Sequence, residues 1–172
     1  VVNQAYFESV GGFINNMISH GADWLWNGWF LRHVGSEMDF IGCNYYFHNR
    51  VTYGFNKNEN KIISDMGWEL YPEGMYHVLL HLKKYNKPIY ITENGLADTR
   101  DELRGSFIQD HLRSAHRALQ EGVDLCGYFH WSLLDNFEWD KGLWPRFGLV
   151  EIDYKTMERR VRKSATLFPL KP

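Results

Sequence analysis

The chain has 172 residues, 44% of them hydrophobic and 23% charged, a composition that suits one globular domain and excludes a disordered chain. With a net charge of −2 and a sequence pI near 6.5, it offers no basic surface to nucleic acid or an anionic membrane. The longest apolar runs, such as Val78-Leu79-Leu80, fall far short of the roughly 20 residues that span a bilayer.

No basic, apolar, small-residue leader opens the chain, and a cytoplasmic location is expected. The chain starts at Val1 rather than a methionine, so a natural start upstream is expected as well. Cys43 and Cys126 lie in apolar strand-like runs without CxxC spacing. They read as buried thiols, supporting neither a disulfide framework nor a zinc site. Aromatic residues make up 16% of the chain, with seven Trp and ten Tyr. Core packing accounts for some; the cluster around 128–147 also suits stacking on sugar faces.

In chain order, residues 4–19 read as helix, interrupted by Gly11-Gly12. Asp39 to Phe47 (DFIGCNYYF) reads as a buried strand and residues 48–70 as a long polar connection. Pro72 fits the first turn of a helix, and Met75, Val78, Leu79 and Leu82 follow at helical spacing. Pro88 ends that segment, and Ile89-Tyr90-Ile91-Thr92 reads as a second strand. Ser106 with Gln109 predicts a capping box. Ile108, Leu112, Ala115 and Leu119 then predict one apolar face, and Gly122 a C-terminal cap. Leu125 to Trp131 reads as a third strand.

Strands and helices alternating at this spacing predict parallel βαβ units. Three parallel strands are too few for a satisfied sheet, so the chain reads as one piece, residues 1–172, of a larger α/β sheet or barrel. Chemistry in such folds gathers at the C-terminal strand ends. Those ends carry Asn44-Tyr45-Tyr46, Thr92-Glu93-Asn94 and Trp131. Glu93 alone is an ordinary loop glutamate. At a strand end before Asn94-Gly95, where glycine permits a sharp turn, it can instead point into a cleft.

Four segments carry a resemblance: Tyr90 to Gly95 (YITENG), Gly127 to Trp139 (GYFHWSLLDNFEW), Arg146 to Val150 (RFGLV) with Asp153-Tyr154, and Asp39 to Tyr46 (DFIGCNYY). Taken in chain order over residues 39–154, they resemble the signatures of family 1 glycoside hydrolases, the β-glucosidases and β-galactosidases. The resemblance implies a partial (β/α)8 barrel covering about strands six to eight. It implies a retaining β-glycosidase acting through a covalent glycosyl-enzyme intermediate. Glu93 is then the nucleophile, with Tyr46 donating a hydrogen bond that holds its carboxylate in line. Asn44 helps line the sugar subsite, Trp131 forms its apolar floor, Glu138 accepts from O4 and O6, Trp139 packs at O3 and O4, and Phe147 packs near C6. Asp135 and Asn136 brace the loop.

A carboxylate beside O6 would repel a 6-phosphate, since like charges ~4 Å apart cost several kcal/mol at an effective dielectric near 20. Non-phosphorylated gluco-, galacto- or fucosides are therefore the expected substrates. The family's acid/base motif, Asn-Glu-Pro, is absent; the only Asn-Glu is Asn58-Glu59, followed by Asn60. The missing N-terminal part of the barrel is thus an expected partner, and the chain alone is expected to be inactive. No cofactor and no metal is expected. His77 and His81, four apart on one helix, are the strongest metal candidates, but they flank apolar residues and lack an HExxH glutamate. A non-catalytic carbohydrate-binding descendant of the same barrel is the competing reading.

Overall fold

The computed structural model describes residues 1–167. Four parallel strands form one sheet in chain order: β1 (Val2–Ser9), β2 (Ile41–Val51), β3 (Ile89–Asn94) and β4 (Leu125–His130). Helix α1 (Phe13–Asp23), a π-turn (Trp24–Gly28) and α2 (Trp29–Val34) connect β1 to β2. Helix α3 (Pro72–Lys83) leads into β3 and α4 (Arg104–Gln120) into β4. A small antiparallel hairpin, β5 (Val150–Ile152) with β6 (Arg159–Val161), follows. Among the described residues no helix is long and apolar enough to cross a membrane.

The first segment differs from its sequence reading. Residues 2–9 are a strand paired along their whole length with β2, from Val2 opposite Cys43 to Ser9 opposite Val51. The break falls at Gly11 and Gly12, both at positive φ, where side chains are strained, and only then does the helix begin. Parallel pairing to a buried neighbour has overridden the weak local helical spacing. The sheet therefore has four strands where the sequence predicts three. Strand β2 also runs on to Val51, four residues into the predicted connection.

One face of the sheet packs on the helices. Ile41, Cys43, Tyr45, Ile89 and Ile91 meet Met75, Val78, Leu79 and Leu82 of α3 and Ala115 and Ala118 of α4 in a single cluster. The predicted α3 face is thus the buried one. On α4 the buried stripe is rotated: Phe107, Ile108, His111, Ser114, Ala115 and Ala118 are inside, whereas Leu112 and Leu119 are exposed.

The predicted capping box is absent. Helix α4 starts at Arg104, and the carboxylate of Asp98 accepts from the backbone N–H groups of Leu103 and Arg104 at 2.9 Å each. Ser106 is already inside the helix and its hydroxyl turns back to the Leu103 carbonyl. Gly122, at φ 81°, does end the helix and donates to the Leu119 carbonyl. Cys43 is buried as expected, but Cys126, on β4, is exposed.

Candidate active site

The strand register sets the site. Asn3, Asn44 and Glu93 fall in one lateral row across β1, β2 and β3, and Asn94 pairs with His130 on β4. Bulges at Cys43/Asn44 and between Ile91 and Asn94 turn this row toward the C-terminal rim, as bulges do at many sites. Gly95 is required next to it. A Cβ there would lie 1.7 Å from the carbonyl oxygen of Trp131, so the glycine allows two chain segments to touch. Gly95 is not among the residues at positive φ; close approach, rather than the sharp turn read from the sequence, explains it.

Asn94 ties the rim together. Its side-chain amide donates to the Tyr45 carbonyl at 2.8 Å, its side-chain carbonyl accepts from the Tyr128 hydroxyl at 3.0 Å, and its backbone carbonyl accepts from Trp131 N–H at 3.0 Å. Strands β2, β3 and β4 are thereby locked where Glu93 and Trp131 emerge.

Above the rim lies a cleft of about 380 Å³. Glu93, Tyr46, Trp131, Glu138, Trp139 and Phe147 line it, joined by Asn3, Phe47 and Trp68. The hydroxyl of Tyr46 donates to Glu93 Oε2 at 3.0 Å. Burial first, and then the facing Glu93 carboxylate, push the Tyr46 phenol far above its ordinary value, so it stays a donor. Burial, reinforced by Glu93 and Asp140, also raises the pKa of Glu138. Trp139 is 86% exposed at the open side and Phe147 is buried.

Asn44 sits differently from expectation. It is buried and does not line the cleft: its Oδ1 accepts from the Thr92 hydroxyl at 2.7 Å and its amide donates to Asn3 Oδ1 at 3.1 Å. It carries a polar chain across the strands behind the cleft wall.

Three lining residues were missed by the sequence reading. Asn3 lay just ahead of the segment read as helix, outside every predicted element. Trp68 lay in the polar connection and Phe47 at its border. Trp68 packs edge-on against Phe47 and Tyr46, with ring centroids at 4.8 and 5.8 Å. Its turn is fixed by Ser64, whose backbone and hydroxyl both engage Trp68. Next to it, Glu69 meets His48 Nδ1 at 2.5 Å while Glu8 meets Nε2 at 3.0 Å. That imidazole also stacks on Tyr71 at 3.6 Å, pinning the loop to β1 and β2. An isolated Trp in an Asn- and Lys-rich stretch was the available signal.

The segment 131–150, which carries the remaining lining groups, is held by a buried carboxylate. Asp135 Oδ1 accepts from Gly148 N–H at 2.9 Å, while Oδ2 accepts from Arg162 at 2.9 Å and from Arg146 at 3.3 Å. Asn136 donates to the Ser132 hydroxyl. The fully buried Arg104 joins this segment to the loop after Glu93, donating to the carbonyls of Asp98 and Arg146 and pairing with Asp101.

The predicted metal candidates have other partners: His77 lies 3.6 Å from Glu73, and His81 lies 3.3 Å from Asp23. Among the described residues no group of three or more His, Cys, Asp or Glu is placed to hold a metal ion.

A carboxylate held by a phenol, in a cleft walled by indoles, thus sits at the C-terminal rim of a parallel sheet, where α/β scaffolds place their sites. The particular family follows from comparison. Residues 30–169 match the model of glycosyl hydrolase family 1, and the chain belongs to that family. A β-galactosidase of Pyrococcus woesei is 40% identical over 156 residues, which cover 76% of this chain and 31% of that protein. β-Glucosidase A of Thermotoga maritima is 41% identical over 152 residues, 78% of this chain and 34% of that one. A solved T. maritima β-glucosidase in complex with glucoimidazole superposes with a TM-score of 0.83 at 32% identity. It covers 95% of this chain and 48% of that one. A hyperthermophilic β-glucosidase from Pyrococcus furiosus gives 0.86 at 33%, covering 96% and 39%. The chain spans about a third of the length of the curated relatives it matches.

Proposed function

We propose that residues 1–172 are the nucleophile-bearing part of a retaining β-glycosidase barrel, acting on non-phosphorylated β-glucosides, galactosides or fucosides. The names of the relatives, β-galactosidase and β-glucosidase, support the glucoside and galactoside part of this reading. With four consecutive parallel strands, the natural numbering is strands five to eight, one more than the sequence reading.

The observation that carries the proposal is the 3.0 Å hydrogen bond from Tyr46 to Glu93 inside the cleft. It fixes one carboxylate oxygen and leaves the other to attack the anomeric carbon. Attack forms the glycosyl–Glu93 ester and breaks the C1–O bond. The leaving oxygen takes a proton from an acid on the missing part of the barrel. The same group then takes a proton from water, which attacks C1 and releases Glu93. Trp131 stacks under the ring. Glu138, in the same cleft, accepts from O4 and O6, and Trp139 and Phe147 close the same side.

Retention is the test. When the completed barrel hydrolyses an aryl β-glucoside, proton NMR should show the β-anomer of the sugar first. The α-anomer appearing first would overturn the mechanism. Sugar binding without turnover would favour the non-catalytic carbohydrate-binding descendant.

A further inference from the structure

Phe47 and Trp68 line the cleft, and their sequence neighbours, His48 and Glu69, meet behind it. His48 is buried, and both of its ring nitrogens face carboxylates: Nδ1 lies 2.5 Å from Glu69 Oε2 and Nε2 lies 3.0 Å from Glu8 Oε2. The other oxygen of Glu69 accepts from the Asn60 backbone N–H at 2.9 Å, which gathers in the connection ahead of Trp68. An ionised carboxylate only accepts, and a neutral imidazole has one N–H to give. Both contacts are therefore hydrogen bonds only when both ring nitrogens carry a proton. Glu8, Glu59 and Glu69 share a cavity of about 360 Å³ with Arg50 and Lys61, leaving one negative charge that an imidazolium balances. Tyr6 and Tyr71, stacked on the ring, add no charge: burial first and then Glu8 raise both phenols, that of Tyr71 to about 12. On α3, Glu73 pairs with Arg117 and His77 stacks on Tyr6.

Resting on the glycosidase reading, we propose that His48 is a positioning residue for the cleft: its imidazolium clasps Glu8 and Glu69, holds Trp68 against Phe47 and Tyr46, and ties substrate affinity to the protonation of the ring. The sign follows from the donors. As pH rises and the ring loses a proton, one carboxylate is left facing a nitrogen lone pair, and that contact turns repulsive. The connection stays attached through Asn58, which donates to the His48 carbonyl and accepts from the Arg50 N–H. Release therefore loosens the Trp68 wall without detaching it. Tyr46 keeps its bond to Glu93, so the effect falls on KM and leaves kcat to the Glu93 chemistry.

Glu8→Gln tests the clasp at a partly exposed side chain outside the cleft. The amide it introduces can donate to the neutral ring while Nδ1 still donates to Glu69, so the clasp no longer needs the second proton. In the completed barrel, KM for 4-nitrophenyl β-glucoside should rise about tenfold, close to the lower limit for one lost bond to a charged group, across about pH 5 to 8, where imidazoles titrate. Glu8→Gln should hold KM level over the same range, and the two kcat profiles should coincide. Amide-exchange protection over residues 58–70 should fall with rising pH in the unaltered barrel and stay constant in Glu8→Gln. A KM in Glu8→Gln that still follows pH as the unaltered protein does would overturn the proposal, as would a change carried by kcat instead of KM. Normal turnover with protection that ignores pH would sink this proposal alone. If the unaltered barrel turns over no glycoside at any pH, the glycosidase reading falls, and this proposal with it.

Discussion

Tyr46 and Glu93 are 47 positions apart in sequence and share one hydrogen bond; the proposed chemistry depends on it. Replacing Tyr46 with Phe keeps the ring and removes a bond to a charged group, worth about 1.5–3 kcal/mol. In the completed barrel kcat for an aryl glycoside should fall by about 10- to 100-fold, which steady-state kinetics would read. Glu93→Gln removes the nucleophile itself and should cost about 10⁴-fold or more; residual turnover near wild type would contradict its role. These two residues were legible in the sequence because short motifs around them encode a strand end with its chemistry attached. Asn3 and Trp68 were not legible: each enters the cleft through tertiary placement, Asn3 by parallel pairing and Trp68 by a turn fixed through Ser64 and Gly67. Asn44 was legible as a site residue, but only the register shows it turned sideways to Thr92 and Asn3.

Among the elements, β1 is where local pattern and fold disagree. Residues 4–9 present helix-like spacing, and only the adjacent strand β2 makes extension favourable. Helix α3 and strand β3 follow their sequence patterns because Pro72 and Pro88 punctuate them sharply. Helix α4 hides its start, since its cap comes from Asp98, outside the local window a capping box uses. The same helix buries His111, whose imidazole burial pushes down to about 4 from 6.5. The unfolded chain then binds more protons than the folded one between pH 6.5 and 4, so stability falls as pH drops through that window and is fully present above it. The loss attributable to this residue is of the order of 3 kcal/mol. Denaturant unfolding of the completed barrel at pH 7 and pH 4.5 should show it, and His111→Leu should flatten the difference. On the segment 131–150, Asp135 compensates two arginines. Asp135→Ala leaves them unpaired and should destabilise by about 3–5 kcal/mol, visible as a lowered denaturation midpoint.

At the scale of the molecule, five of the seven tryptophans, Trp24, Trp26, Trp29, Trp139 and Trp144, are exposed. Phe13, Phe30 and Phe129 are exposed as well, and the outer edges of β1 and β4 have no partner strand among the described residues. So much apolar surface with open sheet edges marks faces built to be covered, in keeping with a chain about a third the length of its relatives. We expect the isolated 172 residues to bind hydrophobic dyes strongly and to show no efficient glycoside hydrolysis. Robust turnover by the isolated chain, lost on Glu93→Gln, would contradict that. The high aromatic fraction was visible in the sequence; its division between a sugar cleft and an uncovered surface was not, because both use the same residues. The most direct test of the central claim is covalent. The completed barrel, treated with a 2-deoxy-2-fluoro-β-glycoside and digested, should yield one peptide heavier by one fluorosugar, with the label on Glu93. A label on any other residue, or continued hydrolysis with no labelled peptide, would contradict the account.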